Sequence, residues 1–161
     1  MQYGFSKLIF LIFVCFRRQP SGIWAYVNFE IMNQENYIFM HEMKVRDYEC
    51  DLQGIVNNAN YQHYMEHSRH EFLETLGVNF GKLHDDGIDA MVSKITIEYK
   101  LPLRSGDRFV IGINLQRQGP RIVFYQDIFR KSDGKLCTRG VVETICVENG
   151  RLTRGAIFDE I

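Results

Sequence analysis

The chain carries almost no net charge: 19 Lys and Arg stand against 20 Asp and Glu, a formal charge of −1 at pH 7. Without an excess of positive charge to build a clustered basic face, nothing points to a nucleic-acid partner. Cysteine is sparse in pattern as well as number. Cys15, Cys50, Cys137 and Cys146 show no CxxC and no Cys/His spacing, which argues against a zinc module or a disulfide framework. Free thiols fit a reducing compartment, and a cytoplasmic protein is expected. Internal repeats and low-complexity tracts are absent, which excludes solenoids and linker-like segments. No HExxH pattern accompanies His63, His67 and His70, so these read as solvated helix histidines, and neither a metal nor another cofactor is expected.

Long hydrophobic runs are also scarce. The one run, "LIFLIFVCF" at residues 8–16, follows Lys7 but leads straight into Arg17 and Arg18 without a small-x-small cleavage site. As a helix it would span about 14 Å, roughly half a hydrocarbon core, so stable membrane insertion is not expected. Residues 1–31 read as an extension outside the domain, with Met32 opening a domain at 32–161.

What is present suits one globular domain: 161 residues, 45% hydrophobic and 24% charged. Rough alternation in residues 37–46 predicts a first strand. From about Asn60, Tyr61, Tyr64, Met65, Phe72, Leu73 and Leu76 recur at intervals of three and four, with Ser68 on the same stripe and Gly77 as a stop. This predicts one amphipathic helix of about five turns. Val92, Ile95, Ile97 and Tyr99 mark a strand that Pro102 must end, and strand-like runs follow at 108–118, 121–131 and 136–148. Gly119-Pro120 and Ser132-Asp133-Gly134 separate those runs as hairpin turns, so the strands should be antiparallel neighbours. The expected fold is α+β, a curved antiparallel five-stranded sheet wrapped around one long central helix.

Between the first strand and the helix lies "YECDLQGIVNNANYQHY", a polar loop with an acid near its start. Taken alone, Asp51 is a turn former or cap. In context, Arg46, Glu49, Asp51, Gly54, Val56, Tyr61 and Tyr64 form a pattern that resembles the signature of the hotdog-fold acyl-CoA thioesterases of the 4-hydroxybenzoyl-CoA thioesterase-like group. Asn57-Asn58 and the Glu66-x-x-Arg69 spacing are similar to that group's long-chain acyl relatives, and "IEYKLPLRSGDRFVI" is similar to its second hallmark. The resemblance spans about residues 36–150. Two departures stand out: Ile55 occupies a position that is often His, and Glu49 one that is commonly Asp.

The resemblance implies hydrolysis of an acyl-CoA to free acid and CoA in a homodimer or homotetramer. Asp51 would act as nucleophile or general base, the Asn58 N–H at the helix start would stabilise the oxyanion, and Gly54 and Tyr61 would contact substrate. Glu66 is the second candidate acid, and otherwise Glu66 and Arg69 read as a surface pair. Lys100, Arg104, Arg121 and Lys131 are candidates for the CoA phosphates, with scattered surface charge as the plainer reading. An acyl-acyl carrier protein thioesterase and a non-catalytic acyl-binding protein are the alternatives. If the extension is foreign to the domain, a chain starting at Met32 should keep the full-length thermal midpoint. A melt lowered by many degrees would instead show that the apolar run packs on the domain, at about 1.5–3 kcal/mol per large side chain.

Overall fold

The computed structural model describes residues 36–156; the expectation concerning residues 1–31 lies outside them. Strand β1 (Phe39–Lys44) leads through a 3-10 turn (Asp47–Glu49) into helix α1 (Asn58–Thr75) and the short helix α2 (Phe80–Asp85). Strands β2 (Ile88–Tyr99), β3 (Arg108–Gln118), β4 (Arg121–Arg130), β5 (Leu136–Glu148) and the two-residue β6 (Arg151–Leu152) follow. The sheet order is β1-β3-β4-β5-β2, antiparallel throughout, with β6 paired to the end of β5. Because β1 and β2 occupy opposite edges, the segment joining them must cross the whole sheet. Helix α1 makes that crossing on the concave face, which is the hotdog arrangement expected from the motif.

The alternation of the central strands sets what faces the helix. Phe109, Ile111 and Ile113 of β3, Ile122, Phe124 and Ile128 of β4, and Val142 and Cys146 of β5 are all buried in one core. The helix contributes Tyr61, Tyr64, Met65, Phe72 and Leu73 from successive turns of one stripe. Gly140 of β5 makes room for the end of the Met65 side chain: a Cβ there would lie 2.5 Å from Met65 Sδ, so the methionine would have to turn aside. Hairpins join β3 to β4 through Gly119-Pro120, and β4 to β5 through a turn in which Arg130 grips Asp133 with two hydrogen bonds of 3.0 and 2.8 Å. That pairing holds the Asp133 carboxyl down at about 2.

Three expectations need correction. Leu76 does not continue the buried stripe: the helix ends at Thr75, Leu76 is its C-cap, and its side chain is 48% exposed. Helix α2, capped by the Asn79 side chain accepting from the Lys82 N–H, was not anticipated. The third correction is the largest. Arg69 does not lie at the surface: it is buried, its Nη1 donating to Gln126 Oε1 at 2.8 Å and its guanidinium 5.9 Å from the Phe124 ring centre, with Glu66 still acting on its charge. Burial lowers its pKa to about 10, so it still carries its charge at neutral pH. Gln126 in turn donates to the Met65 carbonyl at 2.9 Å, tying β4 to the middle of α1.

This pair yields a stability test. Gln126→Leu removes the acceptor of a buried cation and should destabilise the fold by about 1–3 kcal/mol or more in denaturant melts. Arg69→Met combined with Gln126→Leu should recover most of that loss, because no buried charge is then left without a partner. Equal destabilisation by the single and the double variant would contradict this reading.

Candidate active site

The loop between β1 and α1 is built around Glu49. This carboxylate, 6% exposed, accepts from the Arg46 N–H at 2.6 Å, from Arg46 Nη1 at 3.1 Å and from the Tyr64 hydroxyl at 2.7 Å. Burial, then the hydrogen bond to Glu49, pushes the Tyr64 phenol well above its usual range and keeps it a donor. The Glu49 carbonyl oxygen receives two further bonds, from the Asn57 N–H at 2.9 Å and from Asn60 Nδ2 at 2.7 Å. Beyond it, Cys50 and Val56 form an isolated antiparallel bridge, and the Asp51 N–H donates to the Ile55 carbonyl at 2.9 Å.

Within that small loop, Asp51 opens a turn closed by the Gly54 N–H donating to its carbonyl at 3.0 Å, and Gly54 stands at φ 71. Only glycine adopts this left-handed conformation without strain, which accounts for its place. One Asp51 carboxylate oxygen accepts from the Gln53 N–H at 2.8 Å, and the side chain is half-buried. Asn57 then caps α1, its side chain accepting from the Ala59 N–H at 3.0 Å. Asn58 is the first helical residue, and its N–H has no acceptor among the described residues.

Asp51, Asn58 and Tyr61 line a cavity of about 390 Å³ together with Tyr99 at the end of β2 and Lys100 and Leu101 just after it. Gly54 does not line it; its neighbours Gln53 and Ile55 do, while its own carbonyl faces Arg104 Nη1 at 3.4 Å. Tyr61 is buried, its oxygen accepts the Leu103 N–H at 3.1 Å, and burial raises the pKa of its phenol. The Val56 N–H donates to the Leu103 carbonyl at 2.9 Å, so the loop and the chain after β2 are stitched together beneath the cavity. Tyr99 closes the other side, its hydroxyl donating to the Asn58 carbonyl at 3.1 Å. Of the four candidate phosphate ligands, Lys100 lines the cavity beside its partner Glu98, and Arg104 lies at the loop. Arg121 pairs with Glu143 and Lys131 with Glu42, away from this cavity.

A larger cavity of about 590 Å³ lies on the far side of Glu49, lined by residues including His41, Asp47, Tyr48 and His67. It is lined by the start of the 3-10 turn but by no α-helix N-terminus, so the smaller cavity, which the first residue of the 18-residue helix α1 lines, is the better candidate for thioester chemistry. His41 and His67 meet edge to face at 5.2 Å, and His67 Nε2 lies 3.7 Å from Glu71 Oε1. Among the described residues, no three His, Cys, Asp or Glu side chains are grouped to hold a metal ion.

Comparison with known proteins agrees with this architecture. The chain is 44% identical over 90 residues to the chloroplastic acyl-acyl carrier protein thioesterase ATL3 of Arabidopsis thaliana, a match covering 55% of this chain and 47% of that protein. It therefore spans about half the length of that relative. A provisionally named esterase of Aquifex aeolicus is 34% identical over 121 residues, covering 71% of this chain and 88% of that protein. The crystal structure of a hypothetical protein from Aquifex aeolicus superimposes with a TM-score of 0.71 at 28% identity, covering 76% of this chain and 98% of that one. The model of the thioesterase-like superfamily matches residues 45–160, from just before the Glu49 loop to beyond β6, and the chain belongs to that family.

Proposed function

We propose that this protein is a thioester hydrolase that cleaves acyl-CoA to a free acid and CoA, with Asp51 as the reacting acid. The observation that carries this reading is that the Asp51 carboxylate and the unpaired N–H of Asn58 border the same cavity. As a general base, Asp51 removes a proton from water while the water oxygen bonds to the thioester carbon. As a nucleophile, the carboxylate displaces the thiolate itself, and water then opens the mixed anhydride. Either route puts negative charge on the carbonyl oxygen, and the Asn58 N–H at the positive end of an 18-residue helix is placed to receive it. In the general-base route the C–S bond then breaks and the thiolate leaves with the proton that Asp51 took from water. In the nucleophile route the C–S bond breaks as the anhydride forms, the thiolate takes its proton from solvent, and the later attack of water on the anhydride frees the acid and restores the Asp51 carboxylate.

Acyl-acyl carrier protein is the second reading, favoured by the 44% identity to the Arabidopsis relative. Both carriers present the same phosphopantetheine thioester, so the chemistry at Asp51 is unchanged. Thiol release across short-, medium- and long-chain acyl-CoA and acyl-carrier-protein substrates separates the two. A cytoplasmic location is part of this proposal, supported by the free thiols Cys50, Cys137 and Cys146, which suit a reducing compartment.

We also propose that two copies pair along β2. This twelve-residue edge strand exposes Met91, Val92, Ile95 and Tyr99, and a long apolar edge left unpaired invites uncontrolled association. A two-fold axis through β2 would satisfy the edge and continue the sheet into the second copy. Tyr99, Lys100 and Leu101 at the cavity wall lie at the end of that strand, so the partner would border the site.

Two outcomes are expected. Asp51→Asn should leave the fold and substrate binding intact while kcat falls by about 10²-fold or more. Near-normal turnover in the folded variant would overturn the assignment and make Glu66 the next acid to test. Sedimentation should give a dimer or a multiple of it, with turnover lost on dissociation, whereas a fully active monomer at assay concentration would contradict the pairing.

A further inference from the structure

The proposed reaction needs the Asp51 carboxylate and the Asn58 N–H at a fixed separation, and both lie at the ends of a loop bent through a left-handed glycine. Glu49 touches both ends. Its peptide chain reaches Asp51 two residues later, and its carbonyl oxygen holds the N–H of Asn57, the residue next to Asn58. The same carbonyl takes Asn60 Nδ2 from the first turn of α1, so the helix start is gripped at two points.

The side chain then anchors this assembly to the core. Glu49 Oε2 receives the Tyr64 hydroxyl, and Tyr64 is itself buried, its ring 4.7 Å from that of Phe109 on β3. Arg46 supplies the other two donors, its backbone N–H to Oε2 and its guanidinium to Oε1. A buried carboxylate costs stability unless donors surround it, and a well-packed apolar residue often serves stability as well or better. What a carboxylate with three fixed donors adds is direction: sheet, Tyr64, Glu49 and loop form one continuous chain of contacts.

Resting on the assignment of Asp51 as the reacting acid, we infer that Glu49 is the positioning residue of this site: it sets the separation between Asp51 and the Asn58 N–H without touching substrate. It stands on the far side of the loop from the cavity that Asp51 and Asn58 line, its hydrogen bonds are all made within the protein, and it lines no part of that cavity. Its effect on rate must therefore pass through Asp51 and Asn58. A displacement of about an ångström between reacting groups is enough to cost about 10²-fold in rate.

The test uses the full chain and whichever acyl thioester the wild type hydrolyses fastest. Glu49→Gln puts an amide donor at one of the two carboxylate oxygens, so at least one of the three donors loses its acceptor, and Tyr64→Phe removes the anchoring hydroxyl while leaving the carboxylate in place. Each should lower kcat by about 10-fold or more while KM stays within about twofold. Backbone amides of residues 50–57 should exchange faster, with β3 and β4 protected as in the wild type. Adding Glu49→Gln to Asp51→Asn should cost clearly less than Glu49→Gln costs alone, because part of its effect passes through Asp51 and only the part through Asn58 remains. Wild-type kcat in both folded single variants, or a loss that multiplies in the double variant, would overturn the inference. Should Glu49→Gln fail to fold, Tyr64→Phe decides alone. If Asp51→Asn itself keeps full turnover, the assignment of Asp51 has failed and the role of Glu49 falls with it. If Asp51→Asn is inactive and the other two are normal, only the positioning role has failed.

Discussion

The contact on which the rest depends is that of Met65 in the middle of α1 with Gln126 of β4 and Gly140 of β5. The Met65 carbonyl accepts from Gln126 Nε2 at 2.9 Å, and the end of its side chain lies in the space that a Cβ at 140 would take, so backbone and side chain both seat the helix on the concave sheet. Once the helix lies there, Gln126 reaches its backbone, Arg69 finds its acceptor on β4, and Tyr64 presses against Phe109. The crossing from the β1 edge to the β2 edge also fixes where the helix begins. Its N-terminus emerges beside the end of β2, and the cavity forms between them.

The loop chemistry follows from this placement. An aspartate two residues before Gln53 has an ordinary role as a turn former, and Asp51 does accept from the Gln53 N–H. One hydrogen bond leaves the carboxylate further acceptor capacity, and the side chain remains half-buried at the cavity wall instead of pointing to open solvent. The turn bond and the proposed chemical role are therefore compatible: the first orients the group that the second uses. Glu49 contrasts with it, since its carboxylate is buried and held by three donors. Two acids two residues apart thus take different roles because their surroundings differ.

Much of this was legible from local pattern. The runs at 108–118 and 136–148 coincide with β3 and β5 because turn residues bound them on both sides: Gly106-Asp107 and Gly119-Pro120 around β3, Ser132-Asp133-Gly134 and Asn149-Gly150 around β5. The helix begins at Asn58, two residues before its apolar spacing becomes visible, because capping by Asn57 and not hydrophobic periodicity starts it. Leu76 kept the right interval but fell just past the last helical residue. Arg69 was misread for the opposite reason: its charge suggested solvent, although positions 65, 69, 72 and 73 share one helical face. Asp51, Gly54 and Asn58 lie within eight consecutive positions, so their association could be read from the chain. The wall from Tyr99 to Leu101 and the bond from Tyr64 to Glu49 join distant segments, and no local spacing announces them.

The most direct measurement is a crystal structure of Asp51→Asn with a non-hydrolysable acyl-CoA analogue in which a methylene replaces the thioester sulfur. The expected result places the analogue's carbonyl oxygen within hydrogen-bonding distance of the Asn58 N–H, with the carbonyl carbon facing position 51. An analogue seated instead in the cavity beside His41 and His67, or with its carbonyl turned away from the helix N-terminus, would contradict the assignment of the site.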